Sequence, residues 1–175
     1  MINPSETVFV LGAKDPEMDA IEAVLHSFGA RYVHANTNEH TRERVNHANA
    51  YHAFICDGDR EVLFKKTVHT FVHIECEVRH RGNIGPSQII TIDHHRLGDP
   101  GFDVPPVKYW EGSSIGQLCE LMVKTLLVGH ARSFFDTPQH RLIAALDHAR
   151  FWAVRGECPG VSSSDAKKES RLQIA

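Results

Sequence analysis

The sequence predicts an α/β domain, a parallel sheet within three layers, and three observations predict it. Short, β-rich apolar runs recur at Thr7–Leu11, 31–34, Thr70–Ile74 and Gln88–Ile92. The first two flank a segment of helical apolar spacing, and strand, helix and strand in close succession imply parallel pairing. Apolar-striped helices then dominate the second half of the chain. The 175 residues, 42 % hydrophobic and 23 % charged, suit one globular core. The expected organisation is a single domain over 1–160 and a polar, loosely ordered tail over 161–175.

Thr7-Val8-Phe9-Val10-Leu11, ended by Gly12, reads as a buried strand. Asp15-Pro16 then reads as a helix cap followed by proline in the first helical position. Ile21, Val24, Leu25 and Phe28 follow at helical spacing until Gly29. The second strand is expected at 31–34. Residues 36–50 are polar and weakly patterned and are assigned a helix. A short strand is expected at 53–56, with Asp57-Gly58-Asp59 as a turn. Thr70–Ile74 and Gln88–Ile92 are strands around a Gly/Pro loop at 82–86. Residues 96–112 carry several Gly and Pro residues and are expected to be irregular, with Asp99-Pro100-Gly101 as a turn. Ser114 with Gln117 has the form of a capping box before the stripe Ile115, Leu118, Cys119, Met122 and Leu126, which ends near Gly129. Thr137-Pro138 opens the last strong helix, with Leu142, Ala145, Leu146 and Ala149 inward and Gly156 as its stop.

Composition excludes several functions. A net charge of -3 provides no global basic field for duplex nucleic acid. No apolar stretch approaches the roughly 18 residues of a membrane span. The N-terminus lacks a basic-then-apolar signal pattern, and the four cysteines, none in a C-x-x-C pair, read as free thiols rather than a zinc knuckle. A cytoplasmic chain is the expectation. Neither G-x-G-x-x-G nor a P-loop is present, which argues against the usual nucleotide-binding α/β folds.

Thirteen histidines are the outlier, since imidazole is the commonest metal ligand. Most, including His34, His40, His47 and His52, are expected on solvated surface. The informative ones follow strands. In an open parallel sheet ligands bind beyond the carboxyl ends of the strands. Here the first strand leads to Asp15, Glu17 and Asp19, and the later pair ends in Glu75 and in Asp93-His94-His95. Carboxylate and imidazole together suit a divalent cation, and clustered carboxylates need one. Asp15 is better explained as a helix cap. Asp57 and Asp59 are alternative carboxylates, equally well explained by turn chemistry. Asp147, on a mostly apolar helix face, calls for a partner: a metal, or Arg150 or Arg155 in a salt bridge. Tyr109 and Trp110 could stack a base, but core packing is the simpler account of Trp110.

Asp93-His94-His95 after a β-strand resembles the signature of the DHH phosphoesterase superfamily. Three further segments fall in the expected order. Gly12-Ala13-Lys14-Asp15-Pro16-Glu17-Met18-Asp19-Ala20 is similar to the family's first motif, a His-x-Asn-Pro-Asp-x-Asp run. Val72-His73-Ile74-Glu75 resembles the second, and Leu146-Asp147-His148 the fourth. Gly112-Ser113-Ser114-Ile115 is similar to the segment after the signature. The resemblance covers Val8 to about Gly156 and implies the family's N-terminal catalytic domain. It implies Glu17, Asp19, Glu75, Asp93, His94 and Asp147 as metal ligands, with Glu75 bridging two ions, and Mn²⁺ as the expected metal with Mg²⁺ as the alternative. His95, Asp93 and Arg96 would serve catalysis beside the phosphate, with Lys14, Arg150 and Arg155 as further candidate clamps.

The sequence departs from that pattern at Ala13 (family His), Glu17 (family Asp) and Glu75 (family Asp). The family's C-terminal substrate-binding domain has no counterpart in these residues. That implies a small phosphorylated substrate or short single-stranded oligonucleotide, or a second copy or partner subunit that completes the site. Two functions are therefore expected in competition: a metal-dependent phosphohydrolase, and a catalytically weakened relative that binds a nucleotide or a protein partner.

Overall fold

A computed structural model describes residues 3–64, 68–79, 87–126 and 131–172. The chain divides into two compact units, Met1–Ile92 and Asp93–Ala175.

The first unit is a mixed α/β body on a four-stranded, all-parallel sheet in the order β2-β1-β3-β4. The strands are β1 (Thr7–Leu11), β2 (Tyr32–His34), β3 (Thr70–Ile74) and β4 (Gln88–Ile92). Every residue of β1 and β3 is buried, as expected for central strands written as continuous apolar runs. Val8, Val10 and Phe71 join Ala35, Val45, Ala53, Ile55 and Leu63 in one core cluster. Register pairs Leu11 with both His34 and Ile74, and Ile74 with Ile92. All four strands thus finish at one edge.

Helix α1 (Pro16–Ser27) begins where expected: the Asp15 side chain accepts the Met18 N–H at 2.7 Å, and Pro16 occupies the first turn. It ends in paired bonds from Gly29 N to His26 O and Ala30 N to Leu25 O, with Gly29 at φ 63°. It buries Met18, Ile21, Val24 and Leu25, and also Glu17.

Three expectations in this unit are corrected. Residues 36–49 are not helical: Asn38 Oδ1 accepts the N–H groups of both His40 and Thr41, and this local bonding competes with a helix. Only a 3-10 turn at Ala50–His52 follows. Residues 53–56 make isolated bridges, Ala53 with Val78 and Asn36 with Phe54, instead of a strand. Asp57-Gly58-Asp59 opens helix α2 (Asp57–Phe64), where acidic residues in the first turn complement the helix dipole. The loop expected at 82–86 lies outside the described residues.

The second unit is helical. Turns over 97–103 lead to a 3-10 turn at Pro106–Lys108 and α3 (Tyr109–Gly112), so the expected irregular stretch is partly helical. Helix α4 (Ser114–Leu126) buries Ile115, Leu118, Cys119 and Met122. Its cap is Ser113, not Ser114: Ser113 Oγ accepts the Gly116 N–H at 3.2 Å. Its expected stop at Gly129 lies outside the described residues. After α5 (Ala131–Phe135), Thr137 caps α6 (Pro138–Arg155) through the His140 N–H, and Gly156 closes it at φ 81°. Helix α6 buries Ala144, Ala145, Leu146, Ala149 and Ala153, and is kinked at Ala149. The tail expected to be loose is instead α7 (Ser163–Leu172), packed on α6. Ser162 caps it, its Oγ accepting the Asp165 N–H at 3.4 Å, and Ala166 is fully buried.

Among the described residues, no helix is long and apolar enough to cross a membrane.

Candidate metal centre

The order β2-β1-β3-β4 reverses direction at the β1/β3 boundary, and the crevice beyond such a boundary is where parallel sheets hold ligands. Gly12 shapes it. Its N–H bonds Ile74 O at 2.9 Å, and a Cβ there would lie 2.4 Å from Glu75 O, so only glycine lets the strand ends come this close. Glu75 leaves β3 with φ 51°, a left-handed conformation that glutamate adopts at a cost of about 1–2 kcal/mol. Strain of this kind collects at functional positions. Glu75 is 4 % exposed and Glu17, in the first turn of α1, 1 %. Their carboxylate oxygens lie within 4.8 Å of one another.

The remaining first-motif positions behave differently. Ala13 is buried at 2 % exposure and offers no ligand atom. Asp19 is exposed and lines a cleft with Lys14, Glu22 and Arg44. Among the described residues it is not grouped with Glu17 and Glu75. Residues two apart on a helix do not share a face, so burying Glu17 turns Asp19 outward.

In the second unit, Asp93 follows directly on Ile92 and is fully buried. Its Oδ1 accepts the N–H groups of His94 at 2.7 Å and His95 at 3.1 Å, and the His95 Nδ1–H at 2.9 Å. Three donors favour the carboxylate form and fix the His95 ring, whose Nε2 then carries the lone pair. Its imidazole lies 4.2 Å, centroid to centroid, from that of His94.

His94 Nε2 meets Asp147 Oδ2 at 2.7 Å. Its other nitrogen faces His148 Nδ1 at 3.4 Å, while His148 Nε2 sits 2.9 Å from Val104 O. A carbonyl only accepts, so His148 Nε2 donates. Burial, opposed by that carbonyl and aided by the His94 charge, pushes the His148 pKa down and favours its neutral form. His148 Nδ1 is then an acceptor, and His94 Nδ1 the donor to it. Neutral His94 would therefore turn an Nε2 lone pair toward a carboxylate. Two Lewis bases at that distance need a cation between or beside them: a proton, making His94 an imidazolium paired with Asp147, or a metal. Glu17 with Glu75, and His94 with Asp147, are thus buried or half-buried acidic and imidazole groups that could bind a divalent metal.

The candidate clamps are elsewhere engaged or exposed. Arg96 stays near Asp99: its backbone N–H donates to Oδ2 at 2.6 Å, and its guanidinium Nε lies 3.8 Å from the same oxygen. Arg155 pairs with Glu157 at 2.7 Å and Arg150 is exposed. Asp147 has the His94 imidazole beside it, Nε2 to Oδ2 at 2.7 Å. Tyr109 is buried, and Arg141 stacks over Trp110 at 5.5 Å, so neither ring is offered to a base. Two supporting residues escaped the sequence reading. His148 was visible beside Asp147 but carried no assigned role. Gln117 was assigned to a capping box, yet its Nε2 donates to Asp93 O at 3.0 Å and Gly112 O at 2.8 Å.

No protein-family model, no curated protein and no solved structure matches the chain.

Proposed function

We propose that the chain is a metal-dependent phosphohydrolase of the DHH type, acting on a phosphodiester or phosphoanhydride of a nucleotide, short oligonucleotide or other small phosphorylated anion. The observation that carries this reading is the Glu17–Glu75 pair, two buried carboxylates within 4.8 Å at the carboxyl edge of β1 and β3. Like charges so close and so dry favour a shared cation. In this reading Mn²⁺ or Mg²⁺ suits the carboxylate pair, and in the second unit Asp93, His94 and Asp147 offer a mixture of oxygen and imidazole donors. A bound divalent ion supplies Lewis acidity toward a phosphoryl oxygen and lowers the pKa of a water. His95, oriented by Asp93, accepts a proton at Nε2.

A second reading, a weakened relative that binds a nucleotide or a protein partner, is favoured by the apolar Ala13 and the outward Asp19. Metal content and turnover separate the two. The purified chain, supplied with Mn²⁺, is expected to hydrolyse a generic phosphodiester or short oligonucleotides and to lose turnover in Asp93→Ala. Metal uptake without turnover supports the second reading, and absence of metal uptake rejects the first.

A further inference from the structure

The first unit carries a cleft of about 590 Å³ that the ligand set above leaves unused. Three features give it a character. Helix α1 presents Asp19 and Glu22, one turn apart, along one wall. Tyr32 and His34, two apart on β2, share a strand face, their ring centroids 6.0 Å apart. Arg44 and Lys14 supply two cations. Arg44 is held in place, with Nε donating to Gly12 O at 2.9 Å and Nη1 at 3.5 Å from Glu22. Glu22 also receives His34 Nε2 at 3.0 Å. Burial works against its charge, but His34 and Arg44 hold its pKa below the usual carboxylate range. Lys14 is exposed, and among the described residues no hydrogen bond or ion pair engages its ammonium.

We propose that this cleft binds one nucleoside monophosphate unit of the substrate, with phosphate on Lys14 and the base against Tyr32 and His34. The inference rests on the phosphohydrolase reading and names its substrate class. An ammonium is a point-charge phosphate binder, and π-faces accept any base. The volume suits one nucleotide, since pockets for single small ligands span roughly 300–1,000 Å³. Arg44 is paired with Glu22, which leaves the exposed Lys14 ammonium as the cation for the phosphate. The exposed Asp19 carboxylate accepts a ribose hydroxyl. Lys14 also stands in the loop that leads to Glu17, which ties the cleft to the metal-ligand segment through a few residues of chain.

Isothermal titration of the whole chain in EDTA, with adenosine monophosphate, adenosine, ribose 5-phosphate and inorganic phosphate, tests the proposal. Adenosine monophosphate is expected to bind at least about tenfold more tightly than ribose 5-phosphate or adenosine. Lys14→Gln is expected to weaken it about tenfold and leave adenosine unchanged. His34→Gln and Tyr32→Ala are expected to weaken it while leaving inorganic phosphate unchanged. Should Tyr32→Ala fail to fold, amide shifts at Lys14 and Tyr32 in the wild-type chain on titration provide the same information. The proposal is overturned if the nucleotide binds no better than ribose 5-phosphate, or if Lys14→Gln leaves its affinity intact. A chain that binds the nucleotide in EDTA but takes up no Mn²⁺ upholds the cleft and rejects the metal reading. A chain that takes up Mn²⁺ but not the nucleotide does the reverse.

Discussion

Replacing Glu75 by glutamine should reverse its effect on stability according to whether metal is present. The two carboxylates lie within 4.8 Å, where unit charges repel by about 3.5 kcal/mol at an effective dielectric near 20. A shared proton or a nearby donor relieves part of this, so the figure is an upper scale for the gain when Glu75 becomes neutral. In EDTA, Glu75→Gln is therefore expected to raise Tm by several degrees, at about 2–4 °C per kcal/mol for a chain of this size. With Mn²⁺ at about one hundred times its Kd, the wild type gains about 2.7 kcal/mol from ligand linkage. The variant, having lost one anionic ligand, should gain far less. Differential scanning calorimetry in EDTA and in excess Mn²⁺ reads both effects. A variant that melts lower than wild type in EDTA, or that gains as much from Mn²⁺, refutes the reasoning.

Other consequences can be checked on the same protein. Gly112→Ala would put a Cβ 2.4 Å from the His148 ring, so it is expected to cost about 1–3 kcal/mol by thermal melt and to weaken Mn²⁺ uptake by shifting the partner of His94. The Arg141 guanidinium bonded to Asp136 holds that carboxyl below its usual pKa, burial opposing. This stabilisation is present above the unfolded carboxylate pKa, near 3.9, and is lost as pH falls through the lower folded value. Asp136→Asn should therefore flatten the acid limb of Tm against pH. All four cysteines are buried, and burial pushes the Cys119 thiol up to about 11, so a thiol reagent at pH 8 should label none until the chain unfolds. Thr137→Ala removes the cap of α6 and should cost about 1 kcal/mol in urea unfolding.

The sheet was legible because its central strands are unbroken apolar runs. β1, β3 and β4 fall on the segments read from the sequence, and α1 and α6 on their proline, cap and glycine signals. The misreadings share a cause: short polar side chains can serve several backbone roles. Asn38 closes a turn where helix was expected, the Asp57-Gly58-Asp59 sequence starts a helix where a turn was expected, and Ser162 caps a tail helix whose polar sequence suggested disorder. Within the candidate centre, Glu17 and Glu75 were legible from their positions after strands. The outward orientation of Asp19 was legible too, from its two-residue spacing on a helix, but motif order outweighed it. The His94–Asp147 pairing spans 53 positions of sequence, and only packing of the α6 face reveals it.

The two hydrogen bonds donated by the Gln117 amide have a kinetic corollary. One side chain holds the carbonyl of Asp93 and that of Gly112, so α4 cannot fray at its start without loosening the peptide turn that aligns His94 and His95. The two segments should open as one cooperative unit, with the amides of His95 and Gln117 exchanging with solvent deuterium at a common opening free energy. Such a coupled clasp keeps the two imidazoles in register while it is closed and releases them together.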